Sequence, residues 1–395
     1  MKRKSFMLLS LGLAVMFLCG VAFTAKAEIK VGMGNILSGP FAGWGLDAKA
    51  GLEMAIEEIN AGGGLLGEKV VLLARDDGLD TSKGALQAEE LIYNENVLAY
   101  FASTITGSAK ATLPVAIKAK TPAILAAQQS DITCPWQCVS KKKGCCNPWV
   151  FRIAGTVSRQ ADAMVLMARD QLKGKAIALM HDNIGYGLEW KKDLTEAAKK
   201  HGINFVASEM FPLMELDYTA SLIRVSDAGA DVIVVGTLGA PAARIYNAMQ
   251  KLGMKQPLLL CEATLELAFR QTADNMGNGA YVASIQDQPY STKNEKFKAF
   301  AKEWSKKYAN LGYSNVLLCQ PHGFNYYDAM MFFAAAVKKA GSKDKKKIRK
   351  AMDELGPFQS ISGIELLITP EKHCAVSNLP VKMWRFEGGK VLPAQ

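Results

Sequence analysis

Alternation of apolar strands with amphipathic helices, run through twice in succession, constrains the fold of this chain more than any other feature. The first set opens at Ile29-Lys30-Val31-Gly32-Met33, where apolar residues recur at the strand period. A helix over about 45–60 buries Ala48, Leu52, Ala55 and Ile59 and turns Lys49, Glu53 and Glu57 outward, with Gly62-Gly63-Gly64 as its stop. Strands at Val70–Leu73, Leu98–Ala102 and Ala123–Ala126 follow, with Asp80 or Thr81 capping one intervening helix. The rhythm restarts at Val150 and runs through strands near Ala176–Met180, Phe205-Val206, Val232–Val235 and Leu258–Leu260, each followed by a helix. Helices between apolar strands are the crossovers that a parallel sheet requires. Two such sets describe two α/β lobes with a cleft between them, and clefts of this kind take small molecules.

The amino end reads as an export signal. Lys2, Arg3 and Lys4 precede an apolar run from Phe6 to Phe23, and Ala25-Lys26-Ala27 offers a small-residue cleavage site before Glu28. An uncleaved anchor is the alternative, and no second apolar run of spanning length follows. Cleavage after Ala27 removes four basic residues and no acid from a net charge of +10, leaving +6. The lysine runs (Lys141–Lys143, Lys199-Lys200, Lys338-Lys339, Lys345–Lys347) fall on expected helix faces or loops, so they are solvated surface, and no nucleic-acid partner is expected. The expected location is periplasmic.

Seven cysteines remain after cleavage. Four of them, Cys134, Cys138, Cys145 and Cys146, sit in a Cys-rich inserted loop over residues 134–147. In an oxidising compartment they read as disulfides, ahead of an imperfectly spaced zinc site. Cys319 and Cys374 are candidates for a further bridge, and Cys261 is expected as a buried free thiol.

Signatures of catalysis are missing. The chain has no Gly-x-Ser-x-Gly, no His-Glu-x-x-His and no phosphate-binding Gly-rich loop, and its four histidines lack helical spacing from one another. Gly32-x-Gly34 with Gly39 misses the dinucleotide fingerprint. Neither an enzyme, a cofactor nor a metal is expected. Open α/β sheets bind ligands outside the carboxyl ends of their strands. Those ends carry Ser38-Gly39-Pro40 with Trp44, then Ser103-Thr104, Ala127-Gln128, Asp182 with Tyr186, Thr237-Leu238 and Glu262.

These residues carry a resemblance to a known family. Together with Ile59-Asn60-Ala61-Gly62-Gly63, Asp76-Asp77, Phe101-Ala102, Gly187 and Asp217-Tyr218, they resemble the leucine/isoleucine/valine-binding proteins. Those are the solute-binding subunits of branched-chain amino acid ABC transporters. The resemblance implies a periplasmic-binding-protein type I fold, two doubly wound parallel-sheet lobes joined by three hinge crossings. It implies a branched-chain or aliphatic amino acid in the cleft, membrane permease subunits as partners, and a monomer. Ser103, with Thr104 beside it, is similar to the position that holds the ligand carboxylate, Ala127 to one giving backbone contacts, and Glu262 to the acid that meets the ammonium. Trp44 and Tyr186 match aromatic walls. Gln128 stands where the family often has a threonine and Leu238 where it has a tyrosine, so the ligand-binding set is expected to be Trp44, Ser103, Thr104, Ala127, Gln128, Tyr186, Leu238 and Glu262. The lobes are expected as 28–152 plus 284–355 and 153–283 plus 356–395. Three alternatives stand beside this reading: an aromatic acid or amide/urea-type solute, a ligand-sensing module, and an amidohydrolase with Cys261 as nucleophile.

Overall fold

A computed structural model describes residues 27–133, 147–289, 291–311, 321–376 and 379–394. The first run of elements is β1 (Glu28–Asn35), α1 (Ala42–Ala61), β2 (Lys69–Asp76), α2 (Thr81–Glu89), β3 (Tyr100–Phe101), α3 (Thr106–Lys118), β4 (Ala123–Leu125) and β5 (Val150–Arg152). The second is α4 (Val157–Leu166), β6 (Ala176–Asp182), α5 (Gly185–His201), β7 (Asn204–Phe211), α6 (Thr219–Asp227), β8 (Val232–Gly236), α7 (Gly239–Lys251), β9 (Leu258–Leu260), α8 (Leu267–Thr272) and β10 (Tyr281–Ser284). The chain then forms α9 (Glu295–Lys307), α10 (Pro321–Ala340), α11 (Lys345–Asp353), β11 (Phe358–Gln359), β12 (Glu365–Leu366), β13 (Lys382–Glu387) and β14 (Lys390–Pro393).

Two large sheets result, beside a two-stranded one formed by β11 and β12. The first lobe holds the parallel order β2-β1-β3-β4-β5, and the second the order β14-β13-β10-β9-β8-β6-β7, parallel except for the last hairpin. Asp80 caps α2 by accepting from the backbone N–H of Ser82 and Lys83. The turn between β13 and β14 is Gly388-Gly389, both at positive φ, as a tight hairpin requires.

The first lobe is completed from far down the chain. Helix α10 lies along α1 so closely that a Cβ on Gly51 would stand 2.0 Å from the carbonyl oxygen of Gly323. Phe297, Trp304, Phe324 and Phe333 are buried in one cluster with Val31, Leu52 and Phe101. The edge of the sheet is also extended late: Cys374 bridges to Arg152 beside β5, and Leu366, Ile368 and Val376 join the same core. The sequence places everything after residue 355 with the second lobe. Residues 365–376 instead bury their apolar side chains in the first, so we place the third crossing between Val376 and Lys382. The other two crossings follow β5 and β10.

The expected Cys319–Cys374 bridge is corrected. Cys374 is a free, buried thiol whose sulfur accepts from Arg152 Nε at 3.4 Å and donates to the Ala154 carbonyl at 3.6 Å. Its place in the sheet edge turns the side chain into the core. Cys134, Cys138, Cys145, Cys146 and Cys319 lie outside the described residues, as do residues 1–26, where the export signal is expected, and nearly all of the Cys-rich loop.

Because backbone cannot move aside for a methyl group, Gly51→Ala is expected to destabilise the protein by about 1–3 kcal/mol in equilibrium urea unfolding. A change below about 0.5 kcal/mol, the range of an ordinary surface substitution, would contradict the close packing of α1 on α10.

Candidate functional site

Every parallel strand of both sheets delivers its carboxyl end to the same side, so the loops that follow face one another across the cleft. On the first lobe, β1 ends at Asn35, which is fully buried. Its Oδ1 accepts from Ser103 Oγ at 3.1 Å, Thr104 Oγ1 at 3.2 Å and the Ile36 N–H at 3.0 Å. Ser103 Oγ in turn accepts from the Ile105 N–H at 3.1 Å, turning the chain into α3. No side chain caps α3, and Thr104, Ile105 and Thr106 present its amino end to the space between the lobes. A helix amino terminus carries partial positive charge and unpaired N–H groups, which suit an anion.

On the second lobe, Asp182 pins the end of β6 to α5. Its Oδ1 accepts from the Ile184 and Gly187 N–H groups at 3.1 and 3.0 Å, and its Oδ2 from Thr237 Oγ1 at 2.8 Å. Burial outweighs these bonds and raises its carboxyl to about 6. Ile184 and Leu238, at the starts of α5 and α7, therefore stand opposite Thr104 and Thr106.

A chain of buried polar contacts joins the two walls. Gln128 follows β4 in the first lobe, and all of its side-chain partners belong to the second. Its Nε2 donates to Glu262 Oε2 at 2.6 Å, and its Oε1 accepts from Gln160 Nε2 at 2.9 Å and Tyr186 OH at 3.1 Å. Gln160 Oε1 accepts from the Glu262 N–H at 2.9 Å, and Ser284 Oγ donates to Glu262 Oε1 at 2.6 Å. Glu262 is 3% exposed, and burial raises its carboxyl above the usual range against the bonds from Ser284 and Gln128. The space this network backs is about 10 Å³, room for roughly one water.

Of the residues expected from sequence, Trp44, Thr104, Gln128, Tyr186 and Leu238 line that space. Ser103 and Glu262 stand one layer behind, their polar atoms already bonded to protein. Ala127 points away into the apolar cluster beneath α2 and α3, while its neighbours Ala126 and Gln128 face the cleft. Sequence reasoning missed His322, at the start of α10. It is 4% exposed, stacks on Trp44 with ring centroids 4.4 Å apart, and has no hydrogen-bond partner at either ring nitrogen. Burial lowers its pKa to about 4, so the imidazole is neutral at pH 7. Nothing near it in sequence gives it away, because α10 reaches the cleft only through tertiary packing.

The one nucleophile that the sequence raised is not activated among the described residues. Cys261 is fully buried, donates to the Thr237 carbonyl at 3.1 Å, and is pushed up to about 12 by burial, so it lacks the thiolate that a nucleophile needs. Among the described residues, no group of three or more His, Cys, Asp or Glu could hold a metal, and no helix is long and apolar enough to cross a membrane.

Two α/β lobes hinged by three crossings, with helix amino ends converging on the gap, define a solute-binding protein of the periplasmic type I fold. The family described as periplasmic binding protein matches residues 28–390, and the chain belongs to it. The Leu/Ile/Val-binding protein homolog 7 of Brucella abortus is 29% identical, with 84% of each chain covered. The branched-chain amino acid transporter substrate-binding protein of Streptococcus pneumoniae, solved with isoleucine, superposes with a TM-score of 0.79 at 24% identity, covering 92% of this chain and 98% of that one. A solute-binding protein of an ABC transporter from Rhodopseudomonas palustris BisB5, solved with 3,4-dihydroxybenzoic acid, gives a TM-score of 0.78 at 21% identity, covering 93% and 96%.

The raised Asp182 carboxyl carries a pH signature. An acid held above its ordinary value of 3.8 contributes stability that is complete below about pH 4 and is lost as pH rises through about 6. The loss is expected to reach roughly 3 kcal/mol. Asp182→Asn keeps an acceptor for Ile184 and Gly187 and offers Thr237 a donor, so urea midpoints between pH 4 and 7 should fall less steeply than in the wild type. Parallel profiles would contradict the assignment.

Proposed function

We propose that this protein is the extracytoplasmic solute-binding component of an ABC importer, and that its solute is a small carboxylate with an apolar or aromatic body. The observation that carries this reading is the uncapped amino end of α3, framed by the hydroxyls of Thr104 and Thr106 and facing a space walled mainly by Trp44, Ala126, Ile184, Tyr186 and Leu238, with Gln128 and His322 as its further polar side chains. The carboxylate head bonds there, and the body lies between Trp44, Tyr186 and Leu238. Neutral His322 supplies one further donor or acceptor. A space of about 10 Å³ admits such a solute only when the lobes part, so capture is a hinge movement followed by closure. Closure presents a surface that a membrane permease distinguishes from the open form.

A branched-chain amino acid is the second reading, favoured by the names of the relatives and by a buried acid at Glu262. It requires the ammonium to reach Glu262 past Gln128, because Gln128 lines the space and bonds to that acid while Glu262 itself does not line it. The geometry therefore favours solutes without a recognised amine.

Calorimetric titration of the mature chain with isoleucine, 3-methylpentanoate and 3,4-dihydroxybenzoate separates the two. The proposed reading expects a carboxylate lacking the amine to bind at least as tightly as isoleucine, and Glu262→Gln to leave that affinity within about threefold. The amino-acid reading expects isoleucine to bind best and Glu262→Gln to cost about 2–5 kcal/mol. That second pattern would overturn the proposal.

A further inference from the structure

Beside the central space, the lobes enclose a second cavity of about 260 Å³. Pro40, Phe41 and Leu46, from the start of α1 and the loop before it, form one wall, and Ala240, Leu267 and Ala268 from α7 and α8 form the other. Two carboxylates line it, Asp47 from the first lobe and Glu266 from the second, and among the described residues of its lining there is no Lys, Arg or His. Asp47 is 1% exposed, and its Oδ1 is buried without a hydrogen-bond partner. Glu266 Oε1 accepts from the Gly239 N–H at 2.7 Å, while its Oε2 lies 3.9 Å from where a Cβ on Gly43 of the first lobe would stand, and the Trp44 indole also lies against this carboxylate.

Two buried acids near one another, with no cation in the lining between them, form a costly arrangement. Burial, and then the nearby Glu266, push the Asp47 carboxyl well above its ordinary value, and burial raises Glu266 to about 7. A cation placed between them would relieve both penalties. The cavity is far larger than a bare metal ion needs, and a hard divalent ion asks for six or more oxygens where two carboxylates are on offer. The apolar walls and the Phe41 ring instead suit the hydrocarbon body of an organic cation.

We propose that this cavity binds a small alkylammonium cation, with its ammonium between Asp47 and Glu266 and its chain against Phe41, Leu46 and Leu267. Because the two acids belong to different lobes, the bound cation holds the lobes together. It therefore strengthens capture at the central site through their shared closure. The site is independent of which solute the central space takes.

The test is calorimetric titration of the mature chain, with no other solute present, at pH 8 and low salt. The probes are n-butylammonium chloride, 1-butanol and potassium chloride. Saturable binding of butylammonium alone is expected. Asp47→Asn and Glu266→Gln should each weaken it by at least about tenfold. Ala240→Leu, which narrows the cavity while leaving both acids in place, should weaken it as well and keeps the test decisive if an acid variant fails to fold by circular dichroism. Absence of saturable butylammonium binding, equal binding of potassium, or affinity within about threefold of wild type in the folded variants would overturn the proposal. None of these outcomes depends on the carboxylate titrations.

Discussion

The buried bond between Gln128 and Glu262 is the interaction on which the arrangement of the cleft depends. A carboxylate taken out of water loses more than any one neutral hydrogen bond returns, so Glu262 is tolerable only while several donors converge on it. Ser284 comes from its own lobe, but Gln128 must cross from the other. Gln128 in turn has its amide oxygen satisfied by Gln160 and Tyr186, both on the far wall. One side chain of the first lobe is thus held in a socket built by the second. Parting the lobes would break this socket and exchange its bonds for water, so the bonded position is specific in register.

Much of the fold was legible because parallel sheets write their burial into the sequence as apolar runs separated by helical periods. Val232–Val235 and Ala176–Met180 could hardly be anything else, and each is a central strand. The hairpin at Gly388-Gly389 was equally readable, because paired glycines between strand-like runs have few other uses. Residues 356–376 were misjudged for a physical reason: their short bridges and turns carry little periodicity, and only contact with α10 and β5 shows which core they join. Cys374 illustrates the same limit, since a cysteine's neighbours in sequence do not reveal whether a second sulfur lies within reach.

The candidate site was legible in part. Strand ends named Trp44, Thr104, Gln128, Tyr186 and Leu238, because the topology of a doubly wound sheet sends those positions to the gap. Depth was not legible. Ser103 and Glu262 have the right chemistry but sit a layer back, one satisfied by Asn35 and the other by Gln128 and Ser284. His322, Asp47 and Glu266 went unread because each lies within a helix or just before one, where its chemistry looks like ordinary helix surface. Their burial comes from the opposite lobe or from a helix arriving from elsewhere in the chain.

The return of α10 onto α1 sets an order of completion along the chain. The parallel core of the second lobe is contiguous in sequence and finished by Ser284, whereas the first lobe, though it starts at Glu28, waits for a helix that ends at Ala340. Contacts between α1 and α10 span more than two hundred residues, the kind of long-range closure that slows folding. As the polypeptide emerges from its amino end, the portion made first is the portion that matures last. It stays without a finished core until α10 has been made and laid against α1.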